Sequence, residues 1–184
     1  MRNMIDTATH LHSQTRRQLL TGMAVTVGVL ATGSALFAES LPQNMQQNVP
    51  AKKENEHRTS LHQEVAIKAS AQQIYDALLD DKKFAAFSGA PATIDPKAGG
   101  SFSMFGGLIV GRNVELVANE QIVQAWRPTH WSAGVYSIVK FDLKQNGTMT
   151  AITLDHTGFP EGEFDHLAWG WNNHYWEPLK KFFA

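Results

Sequence analysis

The feature that most restricts the fold of this chain is a run of short β-type segments followed by one long aromatic helix. Between residues 100 and 157, apolar and polar residues alternate in five stretches, SFSMF, IVGRNVELV, EQIVQAWR, YSIVKFDL and TMTAITLDH. Turn-forming residues such as Asn146 and Gly147 separate these stretches. Consecutive strands with short links pair antiparallel, so the pattern predicts an antiparallel meander.

The tail of the chain, residues 161–183, has the spacing of an amphipathic helix. Its large apolar residues recur at intervals of three and four: Phe164, Leu167, Trp171, Tyr175, Leu179 and Phe182. Pro178 is expected to kink this helix or to start its last turn anew. A sheet with one solvated face must bury the other face, and this helix is the segment long and apolar enough to cover it.

Upstream of the meander the sequence predicts one more strand and two helices. Residues 62–68 alternate as a strand would, and Ser70 with Gln73 has the pattern of a capping box at a helix start. Residues 80–87 indicate a second short helix. We therefore predict an α+β domain over residues 61–184 with the helix-grip plan, in which an antiparallel curved sheet wraps around a long C-terminal helix.

The N-terminal residues have the layout of an export signal. Adjacent Arg16 and Arg17 precede an apolar run diluted by glycine and threonine, and the stretch TRRQLL resembles the twin-arginine motif. We predict a signal peptide over residues 1–38, a periplasmic location and the twin-arginine translocase as a partner during export. The alternative is a membrane anchor formed by an uncleaved signal, because the uncharged run approaches the roughly 20 residues that span a bilayer.

Composition sets limits on linkers and partners. Residues 39–60 are rich in Gln, Asn, Lys and Glu and have few apolar side chains, which predicts a flexible linker. The net charge of -1 argues against a nucleic-acid partner, and a chain with 0 cysteines has no thiolate metal site or cysteine nucleophile.

Three motifs carry a family resemblance. They are a Gly-x-x-x-Gly-x-x-x-Glu segment from Gly107 to Glu115, the pair Trp126-Arg127, and Gly170-Trp171 in the predicted final helix. In this order, over about residues 61–184, the sequence resembles the domain of the activator of heat-shock-protein-90 ATPase, within the SRPBCC (START-like) superfamily. The resemblance implies the helix-grip fold. It restricts function less, because that superfamily includes small-molecule carriers, cyclases and co-chaperones.

Aromatic residues are the main candidates for a binding site, since inward side chains of a helix-grip domain can line a cavity. His156 joins them because it shares a strand face with Ile152 and Leu154 at a period of two, so it should point inward. The candidate ligand-binding residues are Phe102, Phe105, Trp126, Trp131, Tyr136, His156, Trp171 and Tyr175.

No residue spacing indicates a metal or cofactor site. His166 and His174 lie eight residues apart on the predicted helix, about 80° around its axis, and could not share a metal without help. His130 lies in a predicted loop, where it could guard the mouth of a cavity. We predict no metal, no cofactor and no catalytic residue.

The sequence therefore favours an exported domain that binds a small hydrophobic or aromatic molecule in an internal cavity without covalent chemistry. Two alternatives stay open. One is a cyclase- or hydrolase-like enzyme that uses His156 or Tyr136 as an acid-base group. The other is a protein-interaction module of the co-chaperone kind.

Overall fold

A computed structural model describes residues 54–184 of the chain. The predicted signal peptide and the predicted linker up to residue 53 lie outside the described residues. Seven strands form one sheet in that part of the chain: β1 (Ser60–Ile67), β2 (Thr93–Ile94), β3 (Ser101–Met104), β4 (Ile109–Val117), β5 (Gln121–Pro128), β6 (Ser137–Asn146) and β7 (Met149–Thr157).

The sheet is antiparallel, with the strand order β1-β7-β6-β5-β4-β3-β2. Strands β2 to β7 thus form a meander, and β1 pairs with β7 at the far edge. The five predicted strands of the meander and the first strand are confirmed. The two-residue strand β2 was missed, because Thr93 and Ile94 are too few to show a period.

Two helices follow β1. Helix α1 (Ala71–Leu79) begins with the predicted capping box, in which the Ser70 side chain accepts from the Gln73 amide and the Gln73 side chain accepts from the Ser70 amide. Helix α2 (Asp81–Ser88) is capped by Asp80, and Gly89 ends it in the left-handed conformation.

The C-terminal helix consists of three consecutive segments: α3 (Phe164–Gly170), a π-helical turn (Trp171–Trp176) and α4 (Glu177–Phe182). Pro178 lies in the first turn of α4, where its missing amide is tolerated. The π turn advances the chain by more residues per turn than an α-helix, which shifts the inward face beyond it.

That shift corrects one detail of the predicted apolar stripe. Tyr175 and Trp176 are both buried, whereas Phe182 is 43% exposed and Phe183 packs partly against the core instead. A spacing of three and four between apolar residues assumes an α-helix throughout and cannot predict a π turn. The spacing therefore predicted an inward Phe182. Leu167, Trp171 and Leu179 are buried as predicted.

The C-terminal helix covers the inner face of the sheet. The Trp176 indole donates to Gln63 Oε1 of β1 over 2.6 Å, and the Gln63 amide donates to the Ala168 carbonyl over 3.4 Å. The α+β helix-grip fold predicted from the sequence is confirmed.

Residues 55–59, at the end of the segment predicted as a linker, contact the domain. Asn55 Nδ2 donates to Asp165 Oδ1 over 2.9 Å, and the Arg58 guanidinium lies 3.8 Å from the centre of the Phe164 ring. The Glu56 carbonyl accepts from the Gly162 amide. The chain therefore joins the domain beside the start of α3.

Candidate functional site

A cavity of about 300 Å³ lies between the sheet and the C-terminal helix. Strands β4 and β5, the 3-10 turn Phe105–Gly107 and the C-terminal helix supply its walls. Its lining is mostly apolar: Phe105, Leu108, Ile109, Trp126, Pro128, Thr129, His130, His166, Leu167, Trp169, Gly170, Trp171, His174 and Tyr175. Such a space suits an apolar molecule.

Three buried aromatic rings form the deep wall of the cavity. Trp126 comes from β5, and Trp171 and Tyr175 from the π turn. The ring centres of Trp171 and Tyr175 are 4.3 Å apart, and those of Trp126 and Trp171 are 5.7 Å apart. Each ring packs against at least one other ring of the three, so the wall is already in place before a ligand binds.

The Tyr175 hydroxyl lies in this wall. It donates to Met104 Sδ at 3.6 Å, a weak contact, and burial raises the pKa of Tyr175 above its ordinary value. The Trp126 indole N–H, which partly offsets this rise in pKa, is close to the hydroxyl but has no partner with proper hydrogen-bond geometry. Tyr175 therefore stays a neutral phenol at ordinary pH.

Gly170 is a gap in the helix wall. It has ordinary helical angles, with φ -60° and ψ -45°, and a Cβ built there would meet nothing within 4 Å. Glycine in the middle of a helix costs about 0.5–1 kcal/mol relative to alanine. Because Gly170 also lines the cavity, the missing side chain enlarges the space available to a ligand.

Behind the wall, His156 belongs to a buried chain of hydrogen bonds. Trp171 Nε1 donates to His156 Nδ1 over 3.1 Å, and His156 Nε2 lies 2.7 Å from Ser137 Oγ. Ser137 Oγ in turn donates to the Trp126 carbonyl over 3.0 Å. An indole nitrogen can only donate, so Nδ1 of His156 accepts and Nε2 carries the proton that it donates to Ser137.

Both ring nitrogens of His156 are engaged in this chain of hydrogen bonds, so neither is free to act as an acid or a base on a ligand. The serine gives its proton to a carbonyl and receives one from the imidazole, which is the opposite of a serine activated by a histidine base. Burial lowers the pKa of His156 to about 3, so the ring is neutral at ordinary pH. The arrangement ties strands β5, β6 and β7 to the C-terminal helix.

The candidate residues divide into two groups. Phe105, Trp126, Trp171 and Tyr175 line the cavity. The other four lie outside its wall: Phe102, Trp131, Tyr136 and His156.

His156 belongs to the buried chain of hydrogen bonds described above, and the other three have local contacts of their own. Phe102 packs on its neighbour Gly111, where a Cβ would lie 2.3 Å from the Phe102 ring. Trp131 is buried against Trp126, at 6.2 Å between ring centres. Tyr136 is 47% exposed, with the Arg127 guanidinium 5.7 Å from its ring centre.

Sequence reasoning missed several wall residues. Leu108 and Trp169 are 65% and 55% exposed at the cavity mouth, and neither lies on the predicted inner stripe or strand face. Gly170 is different, because an isolated glycine within a helical pattern is unfavourable for the helix and was visible in the sequence.

The described residues contain no group of three or more His, Asp or Glu side chains that could hold a metal ion. Within the same range, no helix is both long and apolar enough to cross a membrane.

Comparison with known proteins identifies the family. The family model described as activator of Hsp90 ATPase homolog 1-like protein matches residues 68–184. The chain belongs to this family. The resemblance seen in the three sequence motifs is thereby confirmed.

Curated relatives named as activators of the 90 kDa heat shock protein ATPase share sequence with this chain. The activator of 90 kDa heat shock protein ATPase homolog of Dictyostelium discoideum is 32% identical over 138 residues, which cover 74% of this chain and 36% of that protein. An activator homolog 2 of Mus musculus is 27% identical over 166 residues, or 90% of this chain and 50% of that protein. The chain thus spans about a third to a half of the length of the curated relatives it matches.

Among solved structures, an HSP90 activator from Plasmodium falciparum has a TM-score of 0.65 with 23% identity, and covers 68% of this chain and 96% of its own. At that identity the likeness supports the fold of the family and not a particular ligand or partner.

Proposed function

We propose that this domain binds a small apolar or aromatic molecule, without covalent chemistry, in the cavity between the sheet and the C-terminal helix. The observation that carries the proposal is an apolar-lined space of about 300 Å³ in a domain of this size. Small-molecule pockets occupy roughly 300–1,000 Å³, so the space suits a ligand at the small end of that range.

The aromatic wall is already formed without a ligand, which favours a binding site over a chance gap in the packing of the core. Trp126, Trp171 and Tyr175 are all at most 5% exposed and hold one another in place. A ligand therefore has few side chains to order on entry, and this keeps the entropic cost of binding low.

The experiment fills the cavity from Gly170. Isothermal titration calorimetry with 3-phenylpropanamide, a small neutral aromatic probe, compares the wild-type protein with Gly170→Leu and with the control Gly170→Ala. Leucine should occupy the cavity and weaken binding about tenfold or more, since the side chain removes roughly 1.5–3 kcal/mol of apolar contact from the ligand. Alanine should bind nearly as well as glycine.

Two results would reject the proposal. One is a wild-type protein that takes up neither this probe nor other small aromatic and aliphatic molecules. The other is a folded Gly170→Leu variant that binds the probe as tightly as the wild type does.

The proposed location is the periplasm, through the twin-arginine route. Its support is the pair Arg16 and Arg17 ahead of a weakly apolar run. Replacing both arginines by lysine should abolish delivery to the periplasm while expression continues. Normal delivery of that double variant, measured by cell fractionation, would reject this route.

A second candidate function is a protein-interaction module. Its support is the family, whose relatives are named as activators of a heat shock protein ATPase, together with the exposed Leu108 and Trp169 at one edge of the domain. The test is whether the purified protein raises the ATPase rate of a purified 90 kDa heat shock protein, with Leu108→Ala and Trp169→Ala as variants. No change in that rate would count against this candidate.

The contacts of the candidate acid-base groups do not favour the enzyme alternative. His156 is engaged at both ring nitrogens, and Tyr136 lies outside the cavity wall. The proposed function is therefore binding.

A further inference from the structure

The mouth of the cavity carries three histidines. His130, His166 and His174 all line it and all are exposed, and we call them the histidine rim. Apart from Thr129, and from the Tyr175 hydroxyl and the Trp126 indole N–H in the deep wall, the rest of the lining is mostly apolar. A ligand in the cavity would therefore meet its polar surroundings at the mouth.

The rim residues come from two parts of the fold. His130 lies in the loop between β5 and β6, and its ring is perpendicular to that of His166 in α3, with 5.9 Å between centres. His174 lies in the π turn, 5.1 Å from the Trp169 ring and 5.9 Å from the Phe105 ring. His130 and His166 thus form a pair of rings at the opening, and His174 packs against Trp169 and Phe105.

Few charged groups of the protein lie close enough to the histidine rim to compete with a ligand for it. Among the described residues, Glu163 is the carboxylate within ion-pair distance, with its Oε1 at 3.6 Å from His130 Nε2.

Three other charged groups of the neighbouring elements have partners of their own. Asp165 accepts from Asn55, Glu177 pairs with Lys180, and the Arg127 guanidinium lies over the Tyr136 ring. The segment from Phe105 to Ile109 has no charged side chain. His130 and His166 are thus placed to act on a ligand, with Glu163 as the competing carboxylate.

We infer that the cavity, if it binds ligands as proposed above, selects molecules with a carboxylate on a small apolar body, and that it binds them more tightly as the histidine rim becomes protonated. The apolar body lies against Trp126, Trp171 and Tyr175, and the carboxylate lies at the mouth beside His130 and His166, whose ring centres are 5.9 Å apart. A protonated imidazole carries a positive charge, and at the rim that charge lies beside the carboxylate. A neutral ligand of the same shape gains nothing from that charge.

The experiment measures two matched probes, 3-phenylpropanoate and its neutral amide 3-phenylpropanamide, by isothermal titration calorimetry at pH 8.0 and pH 5.5. An aliphatic carboxyl titrates near about pH 4.3, so the acid probe remains mostly ionised at both values. The affinity for the carboxylate should rise about three- to tenfold at the lower pH, as expected for two partly exposed charge pairs. The affinity for the amide should not change.

Variants assign the effect to the rim. The double variant His130→Gln, His166→Gln should lose the pH dependence for the carboxylate and still bind the amide. Glu163→Gln removes the competing carboxylate and should strengthen binding of the acid probe alone. The control His62→Gln removes an exposed histidine on the outer face of the sheet, beside Asp155, and should leave the pH dependence intact.

The outcomes separate this inference from the proposed function. Equal affinity for both probes at both pH values, or pH dependence that survives in the double variant, overturns the inference and leaves apolar binding standing. Failure of both probes to bind overturns the inference and rejects the cavity for ligands of this size.

Discussion

Trp171 in the C-terminal helix donates its indole N–H to Nδ1 of His156 in β7, and this contact fixes which nitrogen of the imidazole carries the proton. The same helix residue forms part of the cavity wall. The wall is therefore attached to the sheet by a buried hydrogen bond as well as by packing. The chain that continues through Ser137 to the Trp126 carbonyl joins three strands to the helix.

Ser137→Ala should destabilise the domain. The change leaves the Nε2 proton of His156 and the Trp126 carbonyl without their partner, and an unsatisfied buried group costs about 1–3 kcal/mol. Urea denaturation measures the free energy of unfolding. Ser132→Ala, at an exposed serine in the loop before β6, is the control and should change it by less than about 0.5 kcal/mol. Equal effects of the two variants would mean that the buried chain of hydrogen bonds contributes nothing to the free energy of unfolding.

The domain should lose stability in acid because of His156. Its folded-state pKa is about 3, against 6.5 for the unfolded chain, so between these values the unfolded state binds a proton that the folded state does not. The contribution is complete above pH 6.5 and is lost as pH falls, at up to about 1.4 kcal/mol per pH unit. Denaturation at several pH values between 7.5 and 5 checks this.

Two variants identify the group responsible. His156→Gln should be less stable at neutral pH but should show a shallower decline in acid. His62→Gln should not reduce the acid loss, since hydrogen bonding to Asp155 raises the pKa of His62 in the folded state and works in the opposite direction. An unchanged slope in His156→Gln would contradict the assignment.

Gly170→Ala should stabilise the domain by about 0.5–1 kcal/mol. The backbone there is already helical, and the added methyl meets no atom within 4 Å. Thermal or chemical unfolding gives the difference. Gly111→Ala is the contrasting variant, because its Cβ would lie 2.1 Å from the Ala125 carbonyl oxygen, and it should be destabilising. A loss of stability at residue 170 would show that the space there is not open.

A protein that begins at residue 61 should fold but should be less stable than one that begins at residue 54. The shorter chain loses the hydrogen bond from Asn55 to Asp165 and the contact of Arg58 with Phe164. A cation–π contact at an exposed site contributes about 0.5–1 kcal/mol. Arg58→Ala in the longer chain should reproduce part of the loss. Equal stability of the two chains would place these residues outside the cooperative unit.

The sequence predicted the fold well because its periods are clear and local. The inward position of His156, the capping box at Ser70 and the strands of the meander all follow from periodicity or from cap chemistry. The position of Phe182 does not, because the π turn depends on how Trp176 and Tyr175 both fit against the sheet.

The site was only partly predictable for a related reason. Trp126, Trp171 and Tyr175 were identified as inward aromatics, but inward residues are divided between the cavity wall and the solid core by tertiary packing. Phe102 fills the space above Gly111, and no local pattern distinguishes it from Phe105, which lines the cavity. His130 was expected to guard a cavity mouth and does line the cavity, but its pairing with His166 of the C-terminal helix has no signal in the spacing of the chain.

Gly170 lines the binding cavity, and no side chain there contributes to the contacts that hold the domain together. A substitution there changes the volume and shape of the cavity without touching the buried chain at His156 or the contacts between helix and sheet. Larger side chains at this one position can therefore be sampled by mutation at little risk to folding. Mutation of this one residue is therefore a route to altering what the cavity accepts while the scaffold of the domain stays the same.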